Sequence, residues 1–141
     1  MPPNVRRFLP LILIAFLLIV ILPTLLKKKS ASTSCHPGAS AECVGADLAN
    51  VDLSKATLTS ADFAHADLAG ADLHSANLAG ANLAGADISG ADLAGATLTH
   101  ARLRGANLTG ADLAGAVNAD LHGAIVCHTL LPSGHFPAHD C

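Results

Sequence analysis

The side chains of this sequence that could do chemistry are carboxylates, imidazoles and thiols, and the carboxylates are the most regularly placed. Eight aspartates share one position of a repeated five-residue unit: Asp47, Asp52, Asp62, Asp67, Asp72, Asp87, Asp92 and Asp112. With Asp120 included, residues 46–126 carry nine acidic side chains against three basic ones, Lys55, Arg102 and Arg104. The simpler interpretation of this row is structural, because Asp, Asn and Thr side chains hydrogen-bond to nearby backbone groups.

The histidines and the C-terminal cysteines are the candidates for a metal site. Five such residues lie within fifteen positions and could offer two thiolates and two imidazoles to zinc: Cys127, His128, His135, His139 and Cys141. Their spacing matches no recognised zinc finger, and an oxidised cysteine pair would exclude the metal. We therefore predict no metal and no cofactor, and keep metal binding through this tail as a weaker alternative.

The composition argues against an enzyme and against a nucleic-acid-binding protein. The sequence contains no nucleophile-elbow, phosphate-loop or zinc-protease motif, and its single glutamate is Glu42. The formal net charge of −3 excludes a strongly basic nucleic-acid binder. Hydrophobic residues make up 51% of the chain but aromatic residues only 3%, so any core is narrow. We predict no catalytic residues and no nucleic-acid partner.

The middle of the chain consists of fourteen consecutive five-residue units, over residues 46–115. The first residue of each unit is Ala, except Val51, and the second is Asp, Asn or Thr, except Arg102. The third residue is large and apolar, and these residues are the predicted core: Leu48, Leu53, Leu58, Phe63, Leu68, Leu73, Leu78, Leu83, Ile88, Leu93, Leu98, Leu103, Leu108 and Leu113.

A period of five residues fits neither a helix nor a flat strand. On an α-helix, successive core residues would drift by about 140° around the axis, so no single apolar face would form. On a strand, an odd repeat would turn the core residues to alternate faces. The chain must therefore turn once per unit, so that four units close a square coil of twenty residues. Such coils stack about 4.8 Å apart through backbone hydrogen bonds.

The A(D/N)LXX pattern of residues 46–115 resembles the pentapeptide-repeat family. The resemblance implies an all-β fold, a right-handed quadrilateral β-helix of about four coils, in which the third residue and the first residue of each unit face the interior. Some members of that family imitate duplex DNA and bind type II topoisomerases in the cytoplasm. The resemblance does not itself assign a molecular role.

The regular pattern predicts the corners and both ends of the β-helix. Glycine at the fifth position suits a type II turn, and the first four units, which end in Asn50, Lys55, Ser60 and His65, are expected to use another turn type. Residues 116–118 look like a three-residue insertion, after which Leu121 and Val126 are expected to face inward. We predict a β-helix over residues 46–126 and a C-terminal cap over residues 127–141, in which Leu130, Leu131 and Phe136 cover the last coil.

Four cysteines flank the repeats, two on each side. Of the three possible connectivities, we favour Cys35–Cys43 and Cys127–Cys141, because each pair is local. Disulfides form in oxidising compartments, so this pairing would place the repeats outside the cytoplasm. Free, unrelated thiols are the alternative.

An apolar segment precedes the repeats. Phe8–Leu26 is 19 residues long without a charge, which matches the bilayer core, and it follows a short flank, residues 1–7. We predict one transmembrane α-helix that contacts the lipid bilayer, followed by a linker with an N-terminal cap over residues 27–45. A cleaved signal peptide is the alternative, although three lysines stand where small residues are expected. The numbers of positive charges before and after this segment are nearly equal, so they do not determine its orientation in the membrane.

Together these features predict a single-pass membrane protein with an extracytoplasmic repeat domain. Its predicted function is a non-catalytic scaffold or protein-interaction module at the cell envelope, with an unknown protein partner. The alternative is a DNA-mimicking, topoisomerase-binding protein that faces the cytoplasm.

Overall fold

The computed structural model describes residues 35–135, and in this part of the chain five-residue units follow one another around a common axis. No α-helix or extended strand occurs in these residues, because each unit contributes only one residue that pairs as a parallel β-bridge. Consequently, no helix between Cys35 and His135 is long and apolar enough to cross a bilayer. The predicted transmembrane helix Phe8–Leu26 and the flank 1–7 lie outside the described residues.

The bridged residues stack in four columns, because partners are twenty residues apart over most of the chain. Column 1 is Glu42, Asp62, Asn82 and Arg102. Column 2 is Asp47, Asp67, Asp87, Asn107 and Ile125. Column 3 is Asp52, Asp72, Asp92, Asp112 and Leu130, and column 4 is Thr57, Asn77, Thr97 and Val117. The predicted square coil of twenty residues is therefore present, with one column on each side.

One unit, Ala66–Gly70, shows how the backbone is satisfied. Four of its five N–H groups donate to backbone carbonyls, two to the next coil, one to the previous coil and one across the preceding corner, at 2.7–3.0 Å. The fifth, on Ala69, donates to the Asp67 side chain at 3.2 Å. A coil whose donors are all paired in this way needs no flanking sheet.

The core is a solid stack of apolar side chains from the third and first positions of the units. Thirteen of the fourteen predicted core residues are buried, and Leu48, in the first coil, is only partly buried. The alanines at the first position are buried beside them from Ala61 to Ala116. Four large side chains per coil leave room only for a methyl group at that position, since extra methylenes in a filled core cost about 1–3 kcal/mol.

The corners all use a backbone with positive φ, whether or not the fifth residue is glycine. Gly70 has φ 66°, and Asn50, Lys55, Ser60 and His65 have φ of 57–58°. The expectation of a different turn type in the first four units is therefore wrong. The coil closure requires this conformation at every corner, and it overrides the preference of non-glycine residues for negative φ.

The segment Ala116–Asn118 is a shortened side of the square and not an insertion. Val117 still pairs with Thr97, twenty residues earlier, but Ile125 pairs with Asn107, only eighteen residues earlier. Ala116 is buried and Asn118 has the corner φ of 54°, so the segment lacks only the third and fourth positions of a unit. The coil closes with two fewer residues.

The β-helix extends beyond both predicted boundaries. Glu42 already pairs with Asp62, and Asp112 pairs with Leu130, so residues 46 and 126 are each one unit short of the ends. Cys43 occupies the central position of the additional first unit and is fully buried. Leu130 is a bridged, outward-facing residue, which corrects its predicted role as a cap. Leu131, Leu121 and Val126 are only partly buried, and Phe136 lies outside the described residues.

Candidate functional site

The regular row of acidic side chains has a structural role in the corners. In twelve units, Oδ1 of the second residue accepts the N–H two residues later, at 2.8–3.4 Å: Asp47, Asp52, Asp62, Asp67, Asp72, Asn77, Asn82, Asp87, Asp92, Asn107, Asp112 and Asp120. This is the fourth-position N–H, which the backbone leaves unpaired. The structural interpretation of the aspartate row therefore accounts for its regularity.

The twenty-residue coil nevertheless sorts these side chains by charge onto different sides. The first four members of column 3 are all aspartates, whereas column 4 has no ionisable residue. Columns 1 and 2 each contain an asparagine one coil after an aspartate. The side-chain amide of Asn82 donates to Asp62 at 2.9 Å, and that of Asn107 donates to Asp87 at 3.2 Å. The four sides thus present four different chemical surfaces. Reading every fourth unit of the sequence would have revealed this.

A groove of about 620 Å³ lies at the corner that follows column 1. Arg102 and Arg104 line it together with Asp120 and two imidazoles, those of His65 and His122. Its floor includes Gly85 and Gly105. The sequence shows the arginine pair, but only the coil brings in the two histidines, which are 57 residues apart.

The groove forms where Gly85 and Gly105 lack side chains and the His65 imidazole lies against Gly85. A Cβ atom at Gly85 would lie 2.6 Å from Nδ1 of His65, so the imidazole covers the corner that glycine leaves empty. On the other side, a Cβ atom at Gly123 would meet Cγ of Arg104 at 3.4 Å. The groove is therefore bounded by the His65 imidazole on one coil and by the Arg104 stem two coils later.

All three cysteines among residues 35–135 are disulfide-bonded. Cys35 is joined to Cys43, with 4.9 Å between their Cα atoms, and this bond ties the segment before the first unit to a buried core position. Cys127 is also disulfide-bonded, and Cys141, its predicted partner, lies outside the described residues.

The disulfide at Cys127 removes one thiolate from the zinc ligands considered in the C-terminal tail. Zinc binding by this tail would require both thiolates, so the disulfide and the metal site exclude each other. Among residues 35–135 no group of three or more histidine, cysteine, aspartate or glutamate side chains could hold a metal ion. His139 and Cys141 lie outside the described residues.

A sequence profile described as pentapeptide repeats matches residues 41–78, 76–115 and 86–131, with eight copies. The chain belongs to the pentapeptide-repeat family. The match begins at Ala41 and so includes the additional first unit that the structure shows. Members of this family are typically non-catalytic structural or interaction modules.

Two solved structures of pentapeptide-repeat proteins resemble the chain. A protein of the Arabidopsis thaliana thylakoid lumen is 35% identical, with a TM-score of 0.53, over 62% of this chain and 59% of its own. Rfr23 of the cyanobacterium Cyanothece 51142 is also 35% identical, with a TM-score of 0.53, over 66% of this chain and 61% of its own. The chain thus spans about three-fifths of the length of these relatives. No curated protein matches significantly.

The plasmid-mediated fluoroquinolone resistance protein QnrB1 also matches, at 20% identity and a TM-score of 0.31 over 64% of this chain and 66% of its own. At that similarity the match carries no argument about what this pentapeptide-repeat protein binds.

Two aspartates of this pentapeptide-repeat protein have lowered pKa values. Hydrogen bonds from the Ser89 hydroxyl and then from the Ser89 N–H hold the pKa of Asp87 below its usual 3.8. They outweigh the opposing effect of burial, and the Asn107 amide adds a smaller lowering effect. The Ser54 N–H and hydroxyl lower the pKa of Asp52 in the same way. Both shifts arise because hydrogen bonds favour the ionised carboxylate.

We expect Asp87 to make the stability of the protein depend on acid pH. Its pKa is lower in the folded than in the unfolded chain, so its contribution is fully present above about pH 4 and is lost as the pH falls through the folded pKa. Asp87→Asn keeps the Oδ1 acceptor but cannot titrate. Urea unfolding at a series of pH values from neutral to strongly acidic should therefore show a shallower loss of unfolding free energy below about pH 4 in this variant. Identical slopes for the two chains would contradict the expectation.

Proposed function

We propose that this pentapeptide-repeat protein is a non-catalytic interaction module, held at a membrane by Phe8–Leu26 and exported to an oxidising compartment. The observation that carries the proposal is the disulfide framework at the repeats, Cys35–Cys43 and the disulfide-bonded Cys127. Disulfides are rare in reducing compartments and persist in exported domains.

The shape of the described β-helix supports a binding role on its outer sides. Its interior is filled by leucine and alanine side chains, so a partner must contact the outer columns. Column 3 offers aspartates, while column 4 offers only uncharged residues. A rigid rod whose sides differ in charge can hold partners in a defined orientation, and charge complementarity selects among them.

A relative supports the proposed compartment. The Arabidopsis thaliana protein that is 35% identical to this chain comes from the thylakoid lumen, a space enclosed by a membrane. Because this chain spans only part of that relative, the likeness is support and not assignment.

The competing proposal, a DNA mimic that faces the cytoplasm, has one observation in its favour. The four stacked aspartates of column 3 form a line of negative charge along the rod. The cytoplasm, however, keeps thiols reduced, which conflicts with disulfides at both ends of the repeats.

A thiol-labelling experiment on intact cells that produce the full chain separates the two proposals. We expect the native cysteines to react with a membrane-impermeant maleimide only after treatment with an impermeant reductant, as read by mass spectrometry. Thr57→Cys, which places a thiol on an exposed position of column 4, should react without reduction. Native thiols that react only after cell lysis, together with protection of the introduced thiol until lysis, would overturn the exported placement.

The interaction role is tested by photo-crosslinking residues at Asp92 of column 3 and at Thr97 of column 4 in the same cells. We expect discrete crosslinked products from one of these two neighbouring sides. Their absence from both sides would overturn the interaction role without affecting the exported placement.

A further inference from the structure

Arg102 is the only cation at the second position of the units in residues 46–115. Asp or Asn at this position accepts the fourth-position N–H at 2.8–3.4 Å, but a guanidinium has only donors and cannot accept it. The N–H of Arg104 accordingly has no acceptor within residues 35–135. The N–H groups of Thr59 and Thr99, in units whose second residue is threonine, also have no acceptor in this range, so the distinguishing feature of Arg102 is its positive charge.

Several side chains with hydrogen-bond donors line the groove described above. Neither guanidinium forms a hydrogen bond or an ion pair within the described part of the chain, although both line the groove beside Asp120. In every unit with Asp or Asn, the fourth-position N–H points to the second side chain. The Arg104 N–H therefore points to the side of the coil from which the Arg102 side chain leaves.

We propose that the groove around Arg102 and Arg104 binds the phosphate group of a phosphate ester. A carboxylate has two oxygens in one plane, and one guanidinium satisfies both of them. Here the donors come from two arginines of one unit and from two imidazoles, that of His65 two coils earlier and that of His122 in the next coil. Tetrahedral phosphate oxygens can accept from donors in several such directions, and arginine is the preferred residue for phosphate.

The remaining lining indicates the rest of the ligand. The groove, at about 620 Å³, is far larger than one phosphate group. Asp120 accepts the His122 N–H at Oδ1, at 3.0 Å, and its carboxylate can accept further hydrogen bonds from a ligand in the groove. The alcohol part of the ester should thus carry hydroxyl groups that donate to Asp120. This proposal does not depend on the compartment in which the chain resides.

The test is an NMR titration of the full chain in maltoside micelles, which carry no phosphate, at constant ionic strength. Inorganic phosphate should give saturable shifts of the Gly85, Gly105 and Gly123 amides, and glycerol phosphate should bind several-fold more tightly. Acetate at the same concentrations should give no saturable shifts. Saturation by acetate as strong as that by phosphate, or no saturation by phosphate, would overturn the proposal.

Two matched variants each replace one basic side chain by asparagine. Arg102→Asn should weaken phosphate binding by about 10- to 100-fold, because charge-assisted hydrogen bonds are lost. It should also raise the midpoint of urea unfolding, since the introduced amide oxygen would accept the Arg104 N–H as in other units. Lys55→Asn removes the same charge at an exposed corner and should leave phosphate binding unchanged. Equal weakening by both variants would show a general charge effect and overturn the site.

Discussion

Replacing Leu83 by alanine should lower the free energy of unfolding by about 3–5 kcal/mol. Leu83 is fully buried, and the twenty-residue register places it between Phe63 and Leu103, one coil to either side. Truncation therefore removes apolar burial and leaves a cavity that these stacked neighbours cannot fill without breaking the bridges beside them. Urea unfolding followed by circular dichroism measures the loss.

The matched control for this truncation is Leu48→Ala, the same change at the predicted core residue that is only partly buried. We expect this variant to lose less than half as much unfolding free energy, because less apolar surface returns to water. Equal losses at the two positions would mean that the stack does not carry the stability, and would contradict the core described above.

Replacing Cys35 by alanine should destabilise the first coil most. The disulfide to Cys43 closes a loop with a sequence separation of 8, for which chain entropy predicts a loss of about 2.5 kcal/mol when it is removed. In a stacked fold each coil contacts only its neighbours, so the loss should appear as fraying from this end.

Hydrogen exchange measures this effect by position. The N–H groups of Cys43 and Gly45 donate to the second coil at 2.7 and 2.8 Å, and their exchange should accelerate in the variant. The internal control is the N–H of Gly90, which lies two coils after the first coil and donates to the Thr109 carbonyl of the next coil at 2.9 Å. This N–H should keep its protection. Unchanged protection at Cys43 and Gly45 would contradict a stabilising role of the disulfide.

The repeat, its inward residues and the closure into square coils could all be predicted from the amino-acid sequence. These features follow from a strict period of five, which neither a helix nor a strand can accommodate, so that local spacing alone selects the fold. The same reasoning missed the first unit, since Glu42 and Cys43 stand where the pattern has Asp or Asn and leucine. It also misread residues 116–118, because a segment three residues long fits an insertion and a shortened side equally well until its pairing is known.

The folded structure was needed to show which outer residues become neighbours where a coil departs from twenty residues. Pairing at a distance of twenty residues stacks four aspartates in column 3, and the shortened last coil then brings His122 to the groove of His65 and Arg102. The corners show the same dependence, since Lys55 and His65 adopt positive φ because the coil must close and not because of their own preference. Inward positions are set by local periodicity, whereas outer surfaces depend on the exact number of residues in each coil.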